Sequence, residues 1–234
     1  MPHPHVVVER STAGYLRVLL SRPERRNALD AGMVTALAEA LTEDPLETVL
    51  LGSTDPAVFC AGADLTITDA ERGAVSDLLY ACFEVMITRP GPVLAVLSGP
   101  AVAGGAQLAA AADFRFASPD ARLRWIGPPG AALAVGAWIL PDLVGRAATL
   151  ELTATGRWVD AAEALALGLV TQIDEDPGQA AASMAGTLAA APGGTAKIAK
   201  VKQVTAAGGL LERLRAERDI NRAAFDETIA RTPT

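Results

Sequence analysis

Strand-like and helix-like patterns alternate over the first two thirds of the chain, and helical patterns alone fill the rest. Val6 to Glu9 and Tyr15 to Leu20 are β-branched and apolar runs either side of the small polar turn Ser11 to Gly14, which predicts a hairpin. Asp30 has the short acceptor side chain of a helix N-cap, and Met33, Leu37, Ala38 and Leu41 recur behind it at helical spacing until Pro45. Thr48 to Gly52 is apolar throughout, as expected of a strand buried on both faces of a parallel sheet. Asp69 to Thr88 predicts a helix with Leu78, Leu79, Cys82, Phe83 and Met86 on its apolar side, ended by Pro90 and Pro92. Val93 to Leu97 then reads as a strand entering the turn Ser98-Gly99-Pro100, and the pair Gly104-Gly105 opens a helix of small residues ending near Asp113.

Further on, Arg122 to Trp125 predicts a brief strand, Ile126 to Gly130 a turn, and 131–140 and 146–155 two helices. Asp160 caps a helix through Leu167, Gly168 closes it, and Leu169 to Ile173 returns to strand. Gly178 to Ala191 and Thr195 to Ala230 are alanine-rich and helical, broken at Pro192-Gly193-Gly194 and Gly208-Gly209. The pattern predicts an α/β core over residues 1–175 and a helical region over 176–234.

Half of the 234 residues are hydrophobic, enough for a sizeable core. A net charge of −7 argues against a nucleic-acid surface or a polybasic membrane contact, while leaving room for a local basic patch that holds a phosphate. Cys60 and Cys82 lie in apolar surroundings far from metal-ligand spacing and read as buried thiols in a reducing compartment. His3 and His5 are the only histidines, so Ser-His or Cys-His catalysis and histidine-held zinc are not expected, and neither is a bound metal or cofactor. The start MPHPHVVVER has no basic segment leading into a long apolar run, and the expected location is the cytoplasm.

The candidate chemistry lies at Gly104-Gly105. Glycine lets backbone approach a ligand closely, and the first N–H groups of a helix have no partner inside it. Such donors suit an oxygen that is or becomes negative. From this stretch alone, tight packing of a helix on a sheet is the favoured explanation of the glycines.

Four segments carry a resemblance: SRPERRNALD (21–30), AVFCAGADL (57–65), SGPAVAGGAQLAAAADFRFAS (98–118) and LVGRAATLELTATGRWVDAAEALALGLV (143–170). Together, and in this order, they resemble the crotonase (enoyl-CoA hydratase/isomerase) superfamily. The resemblance implies a crotonase-like spiral of ββα turns followed by a C-terminal helical region that forms homotrimers, often paired into hexamers. It also implies an acyl-CoA thioester as ligand or substrate, and backbone N–H groups of Ala63 and Gly104 as the oxyanion hole for its enolate. Arg25 and Arg26, with Ala61, Asp64 and Leu65, fall in the loops where relatives hold coenzyme A, although Asp64 reads first as a brace for its own loop, and Trp125 reads either as lining the acyl pocket or as filling the core.

The chain departs from the pattern where hydratases carry two glutamates. The first position falls on Gln107, whose amide is no base at neutral pH, and the second falls within Trp125 to Pro129, which contains no acid. Gln107 could orient a water or the acyl chain, and Asp142 is the next acid within reach along the sequence. Three readings follow: an enolate-stabilising lyase or isomerase of fatty acid metabolism with little classical hydration, an acyl-CoA decarboxylase or isomerase, and a non-catalytic acyl-CoA-binding or partner subunit.

Overall fold

The hairpin forms as expected: β1 (Val6–Arg10) pairs antiparallel with β2 (Tyr15–Leu20), Val6 opposite Leu20 and Arg10 opposite Leu16. The computed structural model describes residues 4–127 and 133–231. After β2 comes α1 (Ala31–Glu43), whose first turn is capped where Met33 N–H donates to the Asp30 carboxylate at 2.8 Å. β3 (Thr48–Ser53) lies parallel to β2 and is buried along all but its last residue. The helix α2 (Asp69–Thr88) begins with a reciprocal capping box between Thr68 and Glu71, a device worth about 1 kcal/mol. β4 (Val93–Leu97) returns parallel to β3. The short β5 (Ala101–Val102) leads into α3 (Gly104–Ala111), every residue of which is buried.

β6 (Phe114–Ala117) continues the main sheet parallel to β4, and β7 (Arg122–Arg124) pairs parallel with β5 in a second sheet. Then come α4 (Leu140–Thr155), β8 (Val159–Asp160), α5 (Ala161–Ala166) and β9 (Gln172–Ile173). The main sheet therefore runs β1-β2-β3-β4-β6-β9 and the small one β5-β7-β8. Three helices follow. α6 (Pro177–Ala190) sets Ala181 and Ala185 against Leu50, Leu94 and Phe116 on the outer face of the main sheet. α7 (Gly194–Thr205) joins α8 (Leu211–Arg231) through a wide turn at Gly208 and Gly209, where the sequence predicts a break. Among the described residues no helix is long and apolar enough to cross a membrane.

α8 lies along α2, with Arg215 paired to Glu84 and Arg222 to Asp77 at its flanks. This placement changes the burial expected for α2. Leu78 is on the open side at 36% exposure, whereas Tyr80, absent from the predicted apolar stripe, is 4% exposed. The helix expected over 131–140 does not form in its described part: 133–139 is turn and loop, and helix starts only at Leu140. Residues 128–132, with most of the predicted Gly/Pro turn, lie outside the described residues. The helix expected over 146–155 is the second part of α4, after a break at Gly145.

The contact that sets α3 is between backbones. A Cβ placed on Gly105 would sit 2.5 Å from the Cys60 carbonyl oxygen and 2.6 Å from the Cys60 Cβ. Neither can retreat, because the Cys60 carbonyl accepts from Val102 N–H and Cys60 N–H donates to Pro100. Gly105→Ala should therefore lower stability by about 2 kcal/mol or more, the range of an overpacked core. The midpoint of chemical denaturation measures this, and an unchanged midpoint would mean that the loop and helix are not so close.

Candidate active site

The loop Ala57 to Leu65 is held from two sides. Asn27 is fully buried, with its amide donating to the Phe59 carbonyl at 2.9 Å and to Ser53 Oγ at 2.7 Å, and its side-chain oxygen accepting from Arg22 N–H. Asp64 accepts from the Thr66 hydroxyl and N–H at Oδ1 and pairs at 3.0 Å with Arg22 at Oδ2. The Thr66 hydroxyl first, then its N–H and the Arg22 guanidinium, hold this buried carboxylate below its ordinary range. Asp64 thus braces the loop.

Bracing fixes what the neighbouring amides can do. Leu29 N–H donates to the Gly62 carbonyl and Asp64 N–H to the Leu29 carbonyl, a parallel bridge in which the Ala63 amide takes no part. Gly62 has φ +89, and a Cβ on it would stand 2.9 Å from the Val102 carbonyl oxygen and 3.5 Å from the Gly104 nitrogen. The loop therefore lies against the N-terminus of α3. The residue before that helix, Ala103, has φ 50 and ψ −118, a strained conformation for a side chain with a Cβ and one that clusters at functional sites. As the first residue of α3, Gly104 has an N–H without an intrahelical acceptor. Ala63 and Gly104 both line one small cavity of about 60 Å³.

The other residues singled out from sequence are dispersed around this cavity. Gln107 is in its wall and 5% exposed, with its oxygen accepting from the Trp138 indole at 2.9 Å. Trp138 stacks on Phe83, and it and Trp125 are 1% exposed and pack in the core, outside the cavity wall. Asp142 is away from the cavity, its carboxylate paired with Arg213 at the surface. Ala61 donates to the Arg26 carbonyl, while the side chains of Arg25 and Arg26 and of Leu65 are exposed near the loop. Burial pushes both thiols, Cys60 and Cys82, up to about 12.

Several residues of the site were not identified from the sequence. Arg72, Tyr80 and Asn221 line the cavity, the first two from α2 and the last from α8. The Tyr80 hydroxyl donates to Glu217 Oε1 at 2.7 Å and accepts from the Asn221 amide at 2.8 Å. Glu217 is 4% exposed, and its carboxylate also accepts from the N–H groups of Gly136 at 3.0 Å and Trp138 at 2.5 Å. Burial outweighs these donors and pushes the Glu217 carboxyl up to about 7. Burial first, then the Glu217 charge, holds Tyr80 well above the usual phenol range.

The family is decided by the span of the match as much as by this geometry. The family model described as "Enoyl-CoA hydratase/isomerase" matches residues 10–233. The chain belongs to that family. A Thermus thermophilus protein carrying the enoyl-CoA hydratase name is 41% identical over 178 residues, covering 70% of this chain and 68% of its own. The cyclohexa-1,5-dienecarbonyl-CoA hydratase of Thauera aromatica is 35% identical over 175 residues, covering 71% of this chain and 66% of its own. The matched stretch thus spans only about two thirds of these relatives. The crystal structure of an enoyl-CoA hydratase from Bacillus halodurans superposes with a TM-score of 0.82 at 26% identity, covering 96% of both chains. The α/β architecture with its helical C-terminal region is therefore that of crotonase-fold enoyl-CoA hydratases.

The Glu217 carboxyl makes a prediction about pH. Its folded value near 7 lies above its ordinary 4.5, so the folded state holds the proton more tightly than the unfolded chain does. Its contribution to stability is therefore greatest below the ordinary value and falls as pH rises towards 7. In urea titrations, the wild-type protein should lose stability relative to Glu217→Gln between these limits and run parallel to it above them. A constant difference across that window would show that the carboxyl is not so buried.

Proposed function

We propose that this family member binds an acyl-CoA thioester with its carbonyl oxygen between the amides of Ala63 and Gly104, and stabilises the enolate formed there. The observation that carries this reading is that two main-chain donors left over by the local hydrogen bonding line one cavity. Charge gathering on a thioester oxygen is stabilised by such preplaced donors, each worth about 3 kcal/mol of barrier. Arg25 and Arg26, exposed beside the loop, supply guanidinium groups for the coenzyme A phosphates. No separate cofactor is required, and a homotrimer or hexamer in the cytoplasm completes the reading.

Classical hydration is not expected of it. Gln107 is in the cavity wall but carries an amide whose oxygen is already engaged by Trp138, and Asp142 is spent on Arg213 at the surface. Isomerisation or decarboxylation needs the oxyanion donors and fewer acid/base groups, and is favoured over hydration for that reason. The remaining alternative, a subunit that binds acyl-CoA without transforming it, differs in yielding no product.

Isothermal titration with butyryl-CoA should give saturable binding, while crotonyl-CoA hydration, followed by loss of the enoyl thioester absorbance, should stay near background. Rapid hydration would overturn the assignment of Gln107. Absence of acyl-CoA binding would remove the reading altogether, and a product screen over unsaturated and malonyl-type thioesters separates catalysis from binding alone.

A further inference from the structure

Enolate chemistry needs a group that moves a proton, and the cavity wall offers little choice. Among the described residues that line it, only Arg72 and Tyr80 have ionisable side chains, and a guanidinium stays charged at any working pH. Tyr80 by itself is a poor acid/base near neutrality. It is not by itself, however: its hydroxyl bridges the cavity to a carboxyl buried behind it on α8.

We propose that the Tyr80 hydroxyl is the catalytic proton carrier of this cavity and that Glu217 is its positioning partner and proton store, replacing the carboxylates absent at Gln107 and in the turn after Trp125. The inference rests on the acyl-CoA reading above and deepens it. Glu217 is held by Gly136 N–H, Trp138 N–H and Tyr80 O–H, so its carboxylate faces Tyr80 at hydrogen-bond distance. Two further polar side chains face this hydroxyl: Asn221, whose amide donates to it at 2.8 Å, and Gln107 from α3. Among the nearby charged groups, Arg213 is paired with Asp142, Arg215 with Glu84 and Arg72 with Asp69, so each cation already has a carboxylate of its own.

The step balances without a co-reactant. The bond from C2 of the acyl chain to hydrogen breaks, and its electron pair enters the enolate whose oxygen faces Ala63 and Gly104. The proton passes to Tyr80 Oη as the Tyr80 proton passes to Glu217, so the substrate loses one proton and Glu217 gains one. The reverse returns a proton to C2 or, when the chain carries a conjugated double bond, to C4. A single relay of this kind accommodates isomerisation, whereas hydration also needs a group that activates water at C3. The Glu217 value near 7 lets it both accept and return the proton at neutral pH.

The test is exchange of the C2 hydrogens of butyryl-CoA for deuterium in D2O, followed by proton NMR, beside calorimetric binding of the same thioester. Wild-type protein should catalyse the exchange with an inflection near pH 7. Tyr80→Phe should slow it by about 100-fold or more, the typical worth of a positioned acid/base, with binding changed less than about threefold. Glu217→Gln, which keeps side-chain shape and the oxygen facing Tyr80 while replacing the oxygen that accepts from Trp138 N–H, should slow exchange and abolish the inflection, a pH readout that loss of the Trp138 contact alone would not move. If wild-type protein binds the thioester but does not exchange it, or if both variants exchange like wild type, the relay is overturned while the binding reading stands. If wild-type protein does not bind, both fall. Should Tyr80→Phe fail to fold, Glu217→Gln and the wild-type pH profile still decide the question.

Discussion

The structure depends on one close approach: the backbone of residues 60–62 lies against the backbone of 102–105 with no room for a side chain between them. Gly62 and Gly105 are glycine because a Cβ on either would overlap the opposite strand of backbone. Packing that tight brings the amide of Ala63, which the bridge to Leu29 leaves over, to the N-terminal end of α3, and Ala63 and Gly104 both line one cavity there. The strain at Ala103 belongs to the same construction, since its positive φ is what turns the chain from β5 into α3.

The sheet supplies the frame for that approach. Parallel pairing of β2, β3, β4 and β6 sends each strand's C-terminal end to the same edge, where the loops after β3 and β4 begin. Asn27 joins the loop after β2 to the loop after β3, through Ser53 and Phe59, and Phe59 N–H donates to the Pro100 carbonyl in the loop after β4, so three successive loops meet at one place. On the opposite side, Asp113, just past the end of α3, accepts from Val93 N–H and from Lys202 of α7. The helical C-terminal region is thereby tied to the core at the bottom by Lys202 and at the top by Glu217.

What was legible in the sequence was whatever local chemistry dictates. Alternation and caps gave the hairpin, α1, α5 and the break at Gly208-Gly209, and the two glycine loops located Ala63 and Gly104, which line one cavity. What was not legible depends on partners far along the chain. Tyr80 and Glu217 are 137 residues apart, and helical periodicity says which residues share a face but not which other helix will cover it. A glutamate in α8, among Arg213, Arg215 and Arg218, reads as one more solvated charge until the helix is laid on α2. The segment 133–139 failed as a helix for the same reason: Gly136 takes φ +85, and the N–H groups of 136 and 138 are turned to Glu217.

That last contact explains why an acidic residue survives burial here. Three donors converge on one carboxylate, and two of them are main-chain amides that would be orphaned if it were removed. An apolar residue at 217 would leave those amides, and the Tyr80 hydroxyl, without an acceptor in the interior, at about 1–3 kcal/mol for each group. The carboxyl therefore serves the fold whatever its proton does. Its second property follows from position: it is buried and hydrogen-bonded to Tyr80, which lines the cavity. A fold that needs a carboxylate to satisfy a loop has, by placing a phenol on the other side, coupled that carboxylate to the space where the thioester would lie.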